Sequence, residues 1–195
     1  MNESLFQNFL TNEQEDAIES LVTDARFPWF FSTGTVLPKD VVNNPCVVID
    51  GLNPPQFIHP INLNTFPHVN IIKPILDFLA IEFQTNISII RMKFNLLMKR
   101  ESDQYHLPHT DIDDIDNCFT AIYYVTESDG HTYLFNEFSP KSSEEVTIKS
   151  QILPEKGKLA IFHADRFHSS SSPVNSEYRI VLNVVFKPNI QSEQD

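Results

Sequence analysis

The chain has 195 residues and a formal net charge of −12, with only 14 lysine and arginine residues. A chain of this length is expected to form one domain that buries roughly 70% of its unfolded surface, so folding requires neither disulfides nor a structural metal. The scarcity of basic residues argues against a surface that follows phosphates, and a nucleic-acid substrate is therefore disfavoured.

Cysteine usage and hydropathy indicate the compartment. Cys46 and Cys118 are far apart in the chain and have no metal-ligand spacing, so each is expected to fill the core. The N-terminus lacks a basic region followed by an apolar run, and no stretch approaches the roughly 18 apolar residues of a membrane helix. We expect a soluble, cytoplasmic protein without a membrane partner.

Residues 1–87 are predicted to form helices and loops that support the rest of the chain. A helix is expected to run from Thr11 or Asn12 to about Asp24, and a second, strongly apolar helix from about 69 to 84. Between them, the aromatic run 27–31 is predicted to be a strand packed on the first helix. The proline-broken segment 50–67, with Phe57 and His59, is either a lid over substrate or a passive loop.

Beyond Asn86 the pattern becomes that of strands, and residues 188–195 are expected to be a tail. A long strand is predicted at 88–99, and further strands at 105–111, 118–126, 131–136, 145–148, 158–163, 167–171 and 178–187. Such spacing is typical of an antiparallel sandwich or barrel. In the first strand, one face would carry Ile90, Met92, Phe94 and Leu96, and the other, more polar face Ile89, Arg91, Lys93 and Asn95. Lys93, Lys99 and Arg100 are interpreted as a solvated strand edge rather than a phosphate-binding patch.

One pattern predicts a metal site. If residues 105–111 run extended, His109 and Asp111 project from the same face and could hold one metal ion. His168, which follows an apolar run, is the candidate third ligand. Two histidines and one carboxylate, with the other positions open, form the ligand set of non-haem Fe(II) oxygenases. A second His-x-Asp pair, His163 and Asp165, is interpreted as a chance match.

The acidic residues that follow this motif allow a rival interpretation. Asp113, Asp114 and Asp116 could provide oxygen ligands for a hard cation. They lack the regular ligand spacing of a calcium-binding loop, so we interpret them as a solvated turn.

The order of the motifs resembles that of a known family. The ordered elements are His109-Thr110-Asp111, the strand 120–125, the Gly-x-Thr-x-x-Phe pattern from Gly130 to Phe135, His168, Pro173 and Arg179. This order is similar to that of the 2-oxoglutarate and Fe(II)-dependent dioxygenases, within them to the prolyl 4-hydroxylase-like branch, and more loosely to members encoded by tailed phages of marine bacteria. The similarity covers about residues 88–187. It implies a mainly β fold with flanking helices, in which 88–187 form a double-stranded β-helix (jelly roll, cupin-like) within one domain, 1–195.

The resemblance also implies cofactors and their ligands. These are Fe(II), the cosubstrate 2-oxoglutarate and O₂, with ascorbate as a candidate reductant. His109, Asp111 and His168 are implied to be the catalytic metal ligands, while Tyr124 and Arg179 would hold the distal carboxylate of 2-oxoglutarate. An arginine fork is a natural partner for a buried carboxylate, although Arg179 could instead lie at the surface beside Glu177.

Further residues are assigned to the pocket with alternatives left open. Thr120 and Ile122 share a face with Tyr124 and would line the pocket, where Thr120 is a candidate cosubstrate-binding residue. Asn95 contacts the cosubstrate or makes a structural hydrogen bond. Prolyl 4-hydroxylase-like enzymes often have a tyrosine three residues before the first metal ligand, where this chain has His106. We assign no role to His106 or Tyr105, and interpret His131 as an exposed turn residue.

The implied reaction is hydroxylation of an unactivated C–H bond, with release of succinate and CO₂, most simply on a prolyl or similar residue of a peptide or protein. Asp111 is the carboxylate ligand that halogenating relatives lack. Two alternatives remain: an oxygenase that acts on a free amino acid or small metabolite, and a non-catalytic jelly-roll binding module with a structural metal.

Overall fold

The computed structural model describes residues 3–36, 47–48, 51–112, 117–139 and 145–189. Within these ranges the chain is mainly β, as predicted. The elements are β1 (Ser4–Phe6), α1 (Asn12–Thr23), β2 (Phe30–Ser32), β3 (Gln56–Pro60), α2 (Val69–Glu82), β4 (Ile87–Met98), β5 (Phe119–Tyr124), β6 (Thr132–Phe138), β7 (Ile148–Ile152), β8 (Leu159–His163), β9 (Arg166–Ser170) and β10 (Tyr178–Pro188).

The strands form two antiparallel sheets. The large sheet has the order β1-β8-β5-β10-β4-β3-β2, and the small sheet has the order β7-β6-β9. Side chains from β4, β5 and β10 of the large sheet and from β6 and β9 of the small sheet line one cavity. This is the predicted double-stranded β-helix, and the cavity lies between its two sheets.

The helices cover the outer face of the large sheet. α1 begins with a capping box in which Thr11 and Gln14 exchange side-chain-to-backbone hydrogen bonds. The apolar stripes of both helices join the large sheet in one core, whose buried members include Ile18, Val22, Ile72, Ile75, Leu79, Phe94, Leu182 and Val184. The helices therefore stabilise the sheet from the side opposite the cavity, so the main core does not depend on what the cavity binds.

Strand β4 contains a β-bulge at Ile90. Opposite it in β10, Val185 pairs with Arg91 but Phe186 pairs with Ile89, so Ile90 has no partner. One extra residue locally disrupts the alternation of side chains along a strand. Ile89 therefore packs against the helix-covered core, and its predicted place on the polar face is wrong.

The segment 105–111 is not a regular strand, contrary to the prediction. It is attached by isolated bridges, one of which joins His109 to His168 of β9. Pro108 lies in this segment and has no N–H to donate to a ladder. The segment nevertheless runs beside the small sheet, where it brings its side chains to the cavity.

The proline-rich segment 50–67 contains strand β3 and is not a continuous loop. β3 pairs with both β2 and β4, so residues 56–60 are a fixed part of the large sheet. Pro55 precedes the strand and Pro60 ends it, which are positions where a missing N–H is tolerated. The lid interpretation is therefore wrong for these five residues.

Three other predictions differ from the structure. Only Phe30 and Phe31 of the aromatic run are in β2, which pairs with β3, whereas Trp29 contacts α1 through a 3.2 Å hydrogen bond from Nε1 to the carbonyl of Val22. β7 occupies 148–152 rather than 145–148. β1 was not predicted, because three residues are too few to show alternation.

Several predictions fall on residues outside the described ranges: Cys46, the acidic run 113–116 and the tail from 190. Cys118 is buried, as expected for a core residue.

In the described ranges, neither helix combines the length and hydrophobicity that crossing a membrane requires.

Candidate active site

His109, Asp111 and His168 converge in the cavity between the sheets. Their candidate ligand atoms all lie within 4.8 Å of one another, close enough for one ion to draw them together. His109 and His168 exchange backbone hydrogen bonds of 3.0 and 2.9 Å, and Asp111 N donates to the carbonyl of Ala164 at 3.0 Å. These bridges hold residues from distant parts of the chain in one cluster.

The second His-x-Asp pair lies outside the cluster. The ring of His163 packs against Phe119, with ring centres 4.7 Å apart. Its interpretation as a chance match agrees with this position.

Backbone hydrogen bonds leave the same nitrogen of each clustered histidine free. Nδ1 of His109 lies 3.0 Å from the carbonyl oxygen of Leu107, and Nδ1 of His168 lies 3.1 Å from that of Arg166. A carbonyl can only accept, so each Nδ1 carries a proton, and Nε2 is the ring nitrogen of each histidine that can bind a metal. Nε2 of His168 lies 3.5 Å from Oδ2 of Asp111. The donor set therefore fits a divalent metal such as iron(II).

Asp111 is held from both sides. Its Oδ2 accepts a 2.7 Å hydrogen bond from Thr120 Oγ1, and its Oδ1 accepts a hydrogen bond from Arg91 Nη2. Burial alone would raise the pKa of Asp111, but its interactions with His168, Arg91 and His109 and the hydrogen bond from Thr120 outweigh that effect and lower it. Asp111 is therefore an ionised carboxylate at neutral pH.

His109 is neutral at the same pH. Burial, and then the neighbouring His168, lower its pKa to about 3. Ionised carboxylates and neutral imidazoles are the forms that bind metals, so the cluster is ready to bind an ion without first losing a proton from either residue.

Arg179 is buried beside this cluster without a counterion. Arg179 is 3% exposed. Its Nη2 donates a 2.6 Å hydrogen bond to Thr132 Oγ1. The same oxygen accepts a 2.8 Å hydrogen bond from the Tyr124 hydroxyl. In the part of the chain that is described, no acidic residue forms an ion pair with Arg179. The alternative of a surface arginine beside Glu177 is wrong, since Glu177 pairs with Lys99.

A buried, uncompensated guanidinium indicates an anionic ligand. Burial lowers the pKa of Arg179, which shows that its environment disfavours the charged form. Its Nε has no hydrogen-bond partner. Since an unpaired buried charge is costly, a carboxylate placed between Arg179 and Tyr124 would satisfy both the charge and the open donor.

Two amide side chains also face the cavity without partners. Asn95 on β4 and Asn183 on β10 line it, and the Oδ1 atom of each is buried with no hydrogen bond. Buried polar atoms are usually paired, so this arrangement suits a polar ligand. Asn95 thus lies where it was predicted, and its contact with cosubstrate stays a prediction.

His106 and Thr132 lie near the site and had no predicted role. His106 is buried between Ser170 and Ser172, whose hydroxyls lie 3.1 and 3.2 Å from its ring nitrogens. Burial, and then the charge of Arg179, lower its pKa to about 3, so it is a neutral spacer. Thr132 belongs to the Gly-x-Thr-x-x-Phe pattern. Its contact with Arg179 is visible only in the structure, where β6 and β10 face each other.

The sequence pattern of β4 also bears on Arg91 and Lys93. Alternation along β4 placed both on the inner face, yet Lys93 was interpreted as part of a solvated edge. That interpretation is wrong for Lys93, which lines the cavity with the metal-site cluster. It holds for Lys99, which is exposed and pairs with Glu177.

A larger cavity of about 910 Å³ lies elsewhere, between α1, β3 and α2. It shares no lining residue with the cavity of the cluster. His59, a residue of the predicted lid, lines this second cavity, and Phe57 packs against Phe31 with ring centres 5.9 Å apart. Neither residue is among those that line the cavity of the cluster.

The fold is shared with solved structures of 2-oxoglutarate and iron oxygenases. A Trichoplax adhaerens prolyl hydroxylase, solved with a hypoxia-inducible-factor peptide, is similar with a TM-score of 0.64 and 16% identity over 96% of this chain and 84% of that one. The α-ketoglutarate-dependent carbocyclase SnoK of nogalamycin biosynthesis gives a TM-score of 0.68 and 10% identity over 96% and 79%. HygX from Streptomyces hygroscopicus, solved with nickel and 2-oxoglutarate, gives a TM-score of 0.61 and 10% identity over 100% of this chain and 85% of that one.

No protein-family model and no curated protein matches the sequence. The similarity to these structures thus lies in the fold: a jelly roll of the kind found in 2-oxoglutarate oxygenases that act on peptides or on small molecules.

Proposed function

We propose that this chain is an Fe(II)- and 2-oxoglutarate-dependent oxygenase that hydroxylates an unactivated C–H bond. The observation that carries the proposal is one cavity that contains both a His-Asp-His cluster and a buried arginine without a counterion. The first suits a metal with open coordination positions, and the second suits a dicarboxylate. A structural metal alone would leave Arg179 unexplained, so the binding-module alternative is less well supported.

The residues have distinct roles in this proposal. When bound, iron(II) and 2-oxoglutarate supply the means to convert O₂ and a C–H bond into an alcohol, succinate and CO₂. His109 and His168 present Nε2, and Asp111 presents a carboxylate that Thr120 and Arg91 orient.

The cosubstrate would be held at the other end of the cavity. Arg179, Tyr124 and Thr132 would bind its distal carboxylate. Ile122 and Val181 also line the cavity, and their apolar surfaces would exclude water from the bound molecule. Ascorbate is included in the proposal as a reductant.

The substrate is a prolyl or similar residue of a peptide, or a free amino acid or small metabolite. The fold supports both, because it is shared with a peptide-bound prolyl hydroxylase and with a carbocyclase of nogalamycin biosynthesis. Assignment to the prolyl 4-hydroxylase-like branch, a phage origin and a cytoplasmic location remain predictions from the sequence.

The test is an anaerobic titration of the Fe(II)-loaded protein with 2-oxoglutarate. A weak visible absorption band, characteristic of a keto acid chelated to iron, should appear and should bleach with formation of succinate when air is admitted. His168→Ala should show neither signal, and the matched control His163→Ala should show both. Iron binding without the band would contradict the proposal and favour the binding module.

A further inference from the structure

The cavity is locally basic although the protein is strongly acidic. Among its described lining residues, Lys93 and Arg179 are basic and Asp111 is the one carboxylate. Arg91 adds a further positive charge through its contact with Asp111. In a chain with a net charge of −12, this concentration of positive charge at one place requires an explanation.

Binding of the proposed cofactors does not balance all of this positive charge. The positive charges of iron(II) and Arg179 match the negative charges of Asp111 and the 2-oxoglutarate dianion. The charges of Arg91 and Lys93 then remain in excess. A cavity with excess positive charge favours an anionic third component.

Lys93 is the cation available for such a component. It is partly buried, lies two residues from Arg91 on the cavity face of β4, and its side chain forms no hydrogen bond or ion pair with the residues that the structure describes. Burial, and then the nearby charge of Arg91, lower the pKa of Lys93, while Asp111 acts in the opposite direction. An incoming anion would relieve this cost of burial.

The neighbours of Lys93 complete a polar surface. Asn183 lies directly opposite Lys93 in the pairing of β10 with β4, and Asn95 follows it by two residues on the same face. Both amides line the cavity, and each has a buried oxygen without a hydrogen bond. Each unpaired oxygen is an acceptor and would suit the ammonium group of an amino acid, whereas the NH₂ group of each amide can donate to a carboxylate oxygen. Lys93 and the NH₂ groups of the two amides are thus suited to bind the carboxylate of such a molecule.

We propose that Lys93, with Asn95 and Asn183, binds a carboxylate of the substrate, which is a small carboxylic acid such as a free amino acid. Asn95 then contacts the substrate instead of the cosubstrate. This inference rests on the proposed oxygenase function and specifies its substrate class. A small acid is favoured over an acidic peptide, because a polyanionic chain would meet the negative surface of the protein before its side chain reached the cavity.

The experiment uses the twenty free L-amino acids and their C-terminal amides as probes, each pair differing in one negative charge. Binding to the Fe(II)- and 2-oxoglutarate-loaded protein is measured anaerobically by calorimetry, and stimulation of succinate formation is measured in air. At least one acid should bind the wild-type protein 10- to 100-fold more tightly than its amide, as expected for a hydrogen bond to a charged group.

Variants of β4 assign the effect to Lys93. Lys93→Met keeps the length of the side chain and should remove the preference for acid over amide, whereas Lys93→Arg should restore part of it. Lys99→Met, an exposed position on the same segment, should keep the preference at the wild-type level.

Three outcomes would overturn the inference. One is that acids and amides bind equally, or that neither binds. Another is stimulation by acidic peptides but by no free acid, which would replace the small acid with a peptide. The last is a loss of 2-oxoglutarate affinity in Lys93→Met as large as that in Arg179→Leu, which would place Lys93 on the cosubstrate. Failure of the proposed function is distinguishable, because the visible band of the 2-oxoglutarate complex is then absent before any probe is added.

Discussion

At the scale of single residues, the bond from Thr120 to Asp111 offers a clean test of how the carboxylate is held. Thr120→Val removes the 2.7 Å hydrogen bond to Oδ2 with little change of shape. Loss of such an outer partner typically reduces metal affinity about 10- to 100-fold. We expect a decrease of that size in Fe(II) binding, measured by competition with a chelating dye.

Thr110→Val is the matched control for that variant. Thr110 lies between the two ligands in sequence, but its buried hydroxyl makes no hydrogen bond. Its replacement should leave Fe(II) affinity close to wild type. Equal losses in both variants would show that the hydrogen bond to Asp111 does not orient the ligand.

Because the guanidinium of Arg179 is buried without a counterion, its removal should affect 2-oxoglutarate binding and protein stability differently. Arg179→Leu should weaken 2-oxoglutarate binding about 10- to 100-fold, the equivalent of about 1.5–3 kcal/mol for hydrogen bonds to a charged group. It should not lower the unfolding temperature of the ligand-free protein, because a buried unpaired charge is removed. Calorimetry and thermal unfolding measure the two effects. Arg26→Leu, at an exposed position, should change 2-oxoglutarate affinity little, and a comparable loss there would refute the assignment.

At the scale of elements, helix α2 should stabilise the fold through one face only. Leu79 is fully buried in the main core, whereas Ile81, on the same helix, is 73% exposed. Leu79→Ala should reduce the free energy of unfolding by about 2–5 kcal/mol through lost burial and a residual cavity. Ile81→Ala should change it by about 0.5 kcal/mol or less. Denaturant unfolding of the two variants checks the prediction, which similar losses would contradict.

The loop that leads into β10 depends on a carboxylate. Asp129 accepts hydrogen bonds from the backbone N–H groups of Val174, Asn175 and Ser176. Burial would raise the pKa of Asp129, but these bonds outweigh burial and lower it below its usual value of about 3.9. A lowered folded-state pKa contributes stability that is present above about pH 4 and is lost as pH falls through the folded-state value.

Asp129→Asn should therefore unfold at a lower temperature than wild type at pH 7, with a smaller difference as pH falls below about 4. Thermal unfolding from pH 7 to pH 2 measures this convergence. Asp103→Asn, at an exposed position of another loop, serves as the control. A difference that stays constant across this range would show that the charge of Asp129 is not what holds the loop.

The sequence predicted the elements better than their connections. Both helices and most strands of the 88–187 core were found, because long apolar stripes and period-two patterns record which face is buried. The bulge at Ile90 was not found, since one extra residue leaves no local signal. The segment 105–111 was predicted as a strand because His109 and Asp111 alternate, whereas isolated bridges rather than a ladder hold it.

The site was predictable where it depended on ordered motifs. His109, Asp111, His168 and Arg179 were singled out, and all four line one cavity. Tyr124, also singled out, donates a hydrogen bond to Thr132, which lines the same cavity. The contacts of Arg91 with Asp111 and of Thr132 with Arg179 were not predicted, because they join parts of the chain whose relative positions the sequence does not specify.

At the scale of the whole molecule, the core and the site are separate. The main core lies between the large sheet and the helices, and its members do not include the metal-site cluster. The metal-free protein should therefore be folded. Fe(II) and 2-oxoglutarate, each at about 100 times its dissociation constant, should each add about 2.7 kcal/mol, which for a chain of this size corresponds to about 5–10 °C in unfolding temperature per ligand.

His168→Ala provides the control for this coupling. Its unfolding temperature without ligands should be close to that of the wild type, and the ligands should not raise it. Anaerobic scanning calorimetry measures both values. If this variant unfolds far below the wild-type temperature, the histidine is part of the stabilising core.

Because Ile90 has no partner in β10, the position along β4 at which a residue is lost should decide whether the sheet is disturbed. Partner residues on β10 already alternate regularly across this point, so a chain that lacked Ile90 could form the same sheet with every other pair intact. Loss of a residue between 91 and 98 would instead turn Lys93 and Asn95 toward the helices and bring core residues into the cavity. We therefore expect homologous chains to vary in length at position 90 and to keep a constant length from Arg91 to Met98.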